Sequence, residues 1–470
     1  MGLSKSTSTF AWLALLLALP YATPRLARLR LLAPRPPEAP APAAAPAPSA
    51  PALGETRLAT ETRERPELAQ PAAEALPAAA PMLAEKLPPR PIEDPSGHAL
   101  DGFYASLDAT DRKVPGAVSR ITYFGDSLLV TDWVTGTLRR KLHERFGDAG
   151  HGFLLLAAGW PGYFHNDVSH TASSGWTLSR VVGPRADDGL YGLGGVSFRG
   201  GPGTWARFGT AKRGAFGLRA SRFGVSYLAQ PGGGSIEVLV DGAPTGSIDT
   251  AADAKALASH VVEVDDAPHA FELRPKGPVR AFGVWLERDA PGVVLDAIGI
   301  LGARMRALDE SDDAHFAEAL RARAPSLVVY EFGINEAEDG DAYPLADLEA
   351  STRRVLAQTR AALPQAGCLV VGALDRADLR AGEYVSRNFI PRLVAAQRRA
   401  AFAEGCAFWD AFQAMGGPGS MGRWAQRGLG GKDLAHPSSA GAEIVGTWIY
   451  RALAAGLASF REGSPPDAGP

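Results

Sequence analysis

The sequence predicts an α/β fold in which a parallel β-sheet, covered by helices on both faces, is interrupted by an inserted antiparallel β-sandwich. Three observations carry that reading. A β-prone run, Ile121-Thr-Tyr-Phe-Gly125, leads through Asp126-Ser127 into residues 133–142, whose apolar spacing is helical. From about residue 159 short alternating runs appear, separated by Pro231-Gly-Gly-Gly234, Asp241-Gly242 and Lys276-Gly277-Pro278, the pattern of antiparallel strands joined by turns. From about residue 293 continuous apolar strands alternate with amphipathic helices, as in a parallel sheet buried on both faces.

In chain order, residues 10–19 are apolar and follow a polar start containing Lys5, as in the h-region of an export signal or a short membrane anchor. The run is shorter than the roughly 20 residues that span a bilayer comfortably. Arg25, Arg28, Arg30 and Arg35 follow it and outnumber the positive charges before it, which the positive-inside rule disfavours. Export is the favoured reading, so 1–22 is assigned as a signal or anchor without deciding between cleavage and anchoring. Met1-Gly2-Leu-Ser-Lys-Ser6 also fits a loose myristoylation pattern. Residues 23–95, rich in Ala, Pro and Glu, bury too little apolar surface to offset their ordering entropy and are expected to form a disordered tether.

Residues 96–160 then open the α/β domain, 161–290 form the insert, 291–460 complete the α/β domain and 461–470 form a disordered tail. Strands of the insert are expected at 195–198, 224–228, 235–240, 260–264, 270–274 and 280–286. In the second α/β part, strands at 294–301, 326–330, 368–372 and 407–410 alternate with helices near 314–324, 345–362, 392–403 and 439–458.

A net charge of −3 gives no field that would mark a nucleic-acid binder. Cys368 and Cys406 adjoin apolar strands and are expected as buried free thiols, with one disulfide the alternative in an oxidising compartment. Gly417-Pro-Gly-Ser-Met-Gly422 matches Gly-x-Gly-x-x-Gly by letter, but it lacks the preceding strand and Pro418 interrupts the turn. It therefore reads as a loop bordering a cleft. His143, His151, His165 and His170 lack the spacing of a helical metal site and read as surface or core residues, so no metal or other cofactor is expected. Trp160, Tyr163, Trp176, Tyr191 and Trp205 are candidates for stacking on sugar rings, although aromatics in β domains more often fill cores.

Loops at the carboxyl ends of parallel strands line the ligand crevice of such folds. Ser127 stands at the end of the first strand, where a nucleophile would be exposed. His436 would take its proton, and Asp433, three residues earlier, would hold the other ring nitrogen. The backbone N–H groups of Ser127 and Gly302 and the amide of Asn335 would stabilise a tetrahedral oxyanion, with Gly302 leaving room for the substrate carbonyl.

Gly125-Asp126-Ser127, the downstream Gly302, Gly333-Ile-Asn335 and Asp433-x-x-His436, in this order, resemble the SGNH (GDSL) hydrolase family. Gly147-Asp-Ala-Gly-His-Gly152, Gly192-Leu-Gly-Gly-Val-Ser-Phe198, Asp296-Ala-Ile-Gly-Ile-Leu-Gly302 and the β insert are similar to the peptidoglycan O-acetylesterases of bacterial envelopes. The resemblance implies an SGNH-type three-layer fold with a carbohydrate-binding-like insert. It also implies a metal-independent serine esterase that removes acetyl from the muramoyl 6-hydroxyl of peptidoglycan. The expected partner is an acetylated glycan rather than a nucleic acid, in the periplasm or cell envelope, with N-terminal membrane attachment and oligomeric state left open. Two departures stand out. Glu336 follows Asn335 where many members have Asp, which is expected to matter little, and Leu128 follows the serine where the narrower group often has His. Two alternatives share these residues: an O-acetyltransferase using the same triad, and a non-catalytic glycan-binding envelope protein.

Overall fold

The computed structural model describes residues 90–463, all of which fall in the unit spanning 68–470. The expected signal or anchor, the tether up to residue 89 and the tail from residue 464 lie outside the described residues. At both margins the fold reaches further than composition predicts. Glu93 exchanges backbone hydrogen bonds with Phe408 and pairs with Arg398, and the last helix continues to Gly463. No described helix is long and apolar enough to cross a membrane.

The first α/β segment comprises α1 (Asp101–Asp111), β1 (Val118–Gly125), α2 (Ser127–Val130) and α3 (Trp133–Phe146). The chain then enters eleven strands: β2 (Gly152–Leu155), β3 (Val168–Ala172), β4 (Thr177–Arg180), β5 (Val196–Gly200), β6 (Ala206–Thr210), β7 (Ala220–Ala229), β8 (Ser235–Val240), β9 (Ala243–Asp249), β10 (Ala256–Ala267), β11 (Ala270–Pro275) and β12 (Val279–Glu287). They form two antiparallel sheets, ordered β10-β7-β12-β5-β4 with β2 also on β12, and β3-β6-β11-β8-β9. Phe223 of the first sheet stacks on Phe271 of the second with centroids 4.2 Å apart, so the inward faces make a sandwich core.

The return segment comprises β13 (Gly292–Gly299), α4 (Asp313–Arg323), β14 (Leu327–Glu331), α5 (Ile334–Asp339), α6 (Leu345–Ala362) and β15 (Gly367–Val371). It continues with the hairpin β16 (Ala377–Arg380) and β17 (Glu383–Ser386), then α7 (Phe389–Ala403), β18 (Ala407–Trp409), α8 (Ala411–Met415), α9 (Ser420–Gln426) and α10 (Ser439–Gly463). The core sheet is parallel throughout, in the order β13-β1-β14-β15-β18. Alternate residues face opposite sides, as a strand's period of two requires. Leu327 and Val329 pack with residues of α1, α3 and α10, whereas Val328 and Tyr330 pack with residues of α4, α6 and α7.

Where the insert meets the core sheet, Arg323 is buried between Asp296 of β13 and Glu287 of β12, at 2.7 and 2.6 Å, and Arg120 of β1 holds the other oxygen of Glu287 at 2.8 Å. The expectation of free thiols is corrected: Cys368 of β15 and Cys406 beside β18 form a disulfide that closes a 38-residue loop. Strand periodicity set each cysteine beside an apolar strand but carries no information about which strands are neighbours or about their register.

Candidate active site

The register of the core sheet aligns Gly299 of β13, Gly125 of β1 and Glu331 of β14 across three adjacent strands. The chain beyond each of these residues emerges on one edge, so the segments bearing Gly302, Ser127 and Asn335 are neighbours despite their separation in sequence. Ser127 opens α2, and a residue in that position has no intrahelical acceptor for its N–H. Asp126 caps the helix from a fully buried position. Its Oδ1 accepts the Leu128 N–H at 3.1 Å and its Oδ2 the Ile334 N–H at 3.4 Å, which ties the serine turn to the Asn335 segment. Burial, with Glu336 and Glu331 nearby, pushes the Asp126 carboxyl well above the usual carboxylate range.

The Asp433–His436 loop delivers the other two groups. His436 Nε2 lies 2.6 Å from Ser127 Oγ, and His436 Nδ1 lies 2.6 Å from Asp433 Oδ2. Asp433 Oδ1 accepts the backbone N–H groups of Ala435 and His436, both at 3.1 Å, so the carboxylate is fixed by its own turn. Leu434 sits between them at φ +55°, a left-handed conformation uncommon for leucine. It is held there by Leu434 N–H to Gly431 O at 3.1 Å and Ala377 N–H to Leu434 O at 3.0 Å. Burial opposes ionisation of Asp433, but the bonds from the His436 side chain and the two backbone N–H groups outweigh it and hold the carboxyl below its ordinary value. The arrangement is open to water: the side chains of His436 and Asp433 are 38% and 53% exposed.

Gly302 lies in the turn beyond β13 at φ +74°, which by itself favours glycine. A Cβ there would meet only Val182 Cγ1, at 3.8 Å, so the space beside it is free. Val182 comes from the insert, which thus borders the site. Asn335, the second residue of α5, donates Nδ2–H to Ala303 O at 2.7 Å, leaving one amide hydrogen for another acceptor. Glu336, read from sequence as nearly interchangeable with Asp, is buried and accepts the Met305 N–H at 3.1 Å. Its only sequence signal was its position after Asn335. Tyr123 donates its hydroxyl to Glu331 at 2.7 Å beneath the same loops, and burial pushes Glu331 and Glu336 each up to about 7.

The remaining sequence candidates fall elsewhere. The glycine-rich run at 417–422 leads into α9, but Asp375 already occupies that helix start, accepting Met421 N–H at 2.9 Å and Ser420 Oγ–H at 3.3 Å. A carboxylate in that position excludes phosphate by charge and by space. His143, His151 and His165 are core residues, with His151 Nε2 3.1 Å from His165 Nδ1, and burial depresses all three below the ordinary histidine value. Among the described residues no three His, Cys, Asp or Glu side chains are grouped to hold a metal ion. Trp160, Trp176 and Tyr191 are buried. Tyr163 and Trp205 are half-buried: Tyr163 packs on the core and its hydroxyl accepts the Leu155 N–H at 2.9 Å, whereas Trp205 has the Arg207 guanidinium 5.5 Å above its ring, as a ring that stacks at a surface does.

Residues 266–444 match the model of the GDSL-like Lipase/Acylhydrolase family. A solved structure described as a peptidoglycan O-acetylesterase in action is 24% identical, with TM-score 0.68, and the match covers 78% of this chain and 99% of that one. A family two carbohydrate esterase from Cellvibrio japonicus matches at 14% identity and TM-score 0.26, covering 62% of this chain and 98% of its own. A lipase/acylhydrolase from Enterococcus faecalis matches at 22% identity and TM-score 0.26, covering 34% of this chain and 75% of its own. No curated protein sequence matches the chain. The strand order, the insert and the 0.68 match together show that the chain has an SGNH/GDSL-like hydrolase fold resembling that of a peptidoglycan O-acetylesterase.

Proposed function

We propose that the protein is a serine esterase that removes O-acetyl groups from an envelope carbohydrate, with peptidoglycan the leading substrate. The observation that carries this reading is the Ser127–His436–Asp433 line, with both hydrogen bonds at 2.6 Å. In this reading Ser127 Oγ attacks the acetyl carbonyl carbon while its proton passes to His436 Nε2. Asp433 stabilises the resulting imidazolium through Nδ1–H. The oxyanion is met by the N–H groups of Ser127 and Gly302 and the remaining amide hydrogen of Asn335, each such donor contributing about 2.7–4 kcal/mol. His436 then protonates the departing sugar alkoxide, and a water deprotonated by His436 releases acetate from the acetyl-serine.

The exposure of His436 and Asp433 favours hydrolysis over transfer to a second sugar, because transfer requires water to be kept from the acetyl-enzyme. Export to an oxidising compartment is supported by the Cys368–Cys406 disulfide, a bond rare in reducing cytosol. In this reading the insert contributes glycan contact through Trp205 and borders the acetyl site through Val182.

The test follows acetate release by the full-length protein from O-acetylated peptidoglycan, acetylated xylan and a chromogenic acetyl ester. Release fastest on peptidoglycan, falling by about 10⁴-fold or more in Ser127→Ala and His436→Ala, supports the reading. Release from the small ester alone keeps the serine mechanism and removes the peptidoglycan assignment. Glycan binding without release, unchanged in Ser127→Ala, replaces the enzyme reading with recognition.

A further inference from the structure

The proposed oxyanion donors Gly302 and Asn335 sit on different segments, the turn beyond β13 and the start of α5. Three side-chain bonds join these segments. The Arg304–Asp339 pair, at 2.5 Å, is solvent-accessible and subject to screening. Asn335 Nδ2–H to Ala303 O, at 2.7 Å, uses one of the two hydrogens of the amide that would meet the oxyanion. The third runs from Met305 N–H to Glu336 Oε1, at 3.1 Å, in a position 1% exposed, shielded from bulk solvent. It joins the residue next to Asn335 to the residue three beyond Gly302.

We infer that Glu336 is a positioning residue of this site: by holding the Met305 N–H it fixes the spacing between Gly302 and Asn335. The inference rests on the esterase reading above. An aspartate is one methylene shorter and would have to draw the two segments together to make the same bond. The second carboxyl oxygen, Oε2, has no partner among the described residues, and Glu336 lines a cavity of about 10 Å³ with Tyr330, Phe332, Thr352 and Gln397, room for at most one water. A neutral carboxyl suits such surroundings, which accords with burial raising this group to about 7. Glutamine has the same reach and the same accepting oxygen without a charge, and is the natural replacement.

The experiment measures kcat and KM of the full-length protein on a chromogenic acetyl ester for the parent and for Glu336→Gln, Glu336→Asp, Glu336→Ala and Ser127→Ala, with urea unfolding of each. The expected result is that Glu336→Gln stays within about twofold of the parent, while Glu336→Asp and Glu336→Ala lose about 10–100-fold in kcat with KM within about twofold. That split is what misplaced oxyanion donors produce, since they act on the transition state and little on the bound ester. Because Glu336→Asp keeps the carboxyl, it carries the test if Glu336→Ala fails to fold. The positioning role is overturned if Glu336→Asp keeps the parental kcat, if the loss falls on KM, or if Glu336→Gln loses as much as Glu336→Asp. An inactive parent, or a Ser127→Ala variant as active as the parent, overturns the esterase reading and the positioning role with it. With an active parent abolished by Ser127→Ala, the Glu336 variants decide the positioning role alone.

Discussion

Replacing both cysteines, Cys368→Ala with Cys406→Ala, tests how far the parallel core sheet depends on its covalent tie. The disulfide closes a loop of 38 residues that contains the β16–β17 hairpin and α7. Chain-entropy arguments give a loop of that length about 13 cal/mol/K of lost freedom in the unfolded state, or about 4 kcal/mol at 25 °C. Both sulfurs are buried, so the double variant also loses some packing, in the same direction. The assay is urea unfolding of the parent with and without reductant beside the double variant. The reduced parent and the double variant are expected to unfold at similar, much lower urea concentrations than the oxidised parent. Acetyl-ester turnover of the folded variant should be unchanged, because Cys368 and Cys406 lie toward the amino ends of β15 and β18, away from the edge bearing Ser127. Coincident unfolding curves for oxidised and reduced parent would refute the reasoning.

Three further outcomes follow from the geometry. Arg323→Met leaves Asp296 and Glu287 buried without their shared cation and should cost about 3–5 kcal/mol in urea unfolding, and a change under about 1 kcal/mol would show that the charges find other partners. Gly302→Ala meets no close atom but must adopt φ +74°. It should lose about 1–2 kcal/mol of stability and at least about 10-fold in turnover, and parental turnover would remove Gly302 from the proposed oxyanion site. Glu336 titrates near 4.5 when unfolded and is raised to about 7 in the fold, so its stabilising contribution is complete below about pH 4.5 and is lost as the pH rises through 7. Glu336→Gln, which cannot ionise, should therefore gain about 3 kcal/mol on the parent between pH 4.5 and pH 8, and a pH-independent difference would refute the raised value.

Much of the core was readable because parallel buried strands announce themselves as apolar runs. The run ending at Tyr330 and that at Cys368 each fall within a residue or so of β14 and β15. The serine turn, Asn335 and the Asp433-x-x-His436 loop stood out in the sequence as unusual residue types at strand ends, and the structure brings Ser127, His436 and Asp433 into one hydrogen-bonded line. Short insert strands such as β3 and β4 went unread because they are brief and half-exposed, so alternation is weak. The function of Glu336 and the Cys368–Cys406 bond were hidden for another reason. Each depends on a partner, Met305 N–H or the opposing sulfur, whose nearness is fixed by tertiary register and has no local trace in sequence.

The position of β1 inside the parallel core sheet has consequences for the order in which the molecule is assembled. Both of its neighbours, β13 and β14, are encoded after the insert, and its Thr122 meets Asp296 across 174 positions of chain. At roughly 5–20 residues per second of synthesis, that strand waits roughly 10–35 s for its first partner. Throughout that interval Ile121, Tyr123 and Phe124, buried in the finished sheet, lie on a strand with two unpaired edges, an invitation to pair with another nascent chain. The sandwich, whose strands are all made before β13, can fold during the wait, so the strand that leads to Ser127 is among the last parts of the core sheet to be secured.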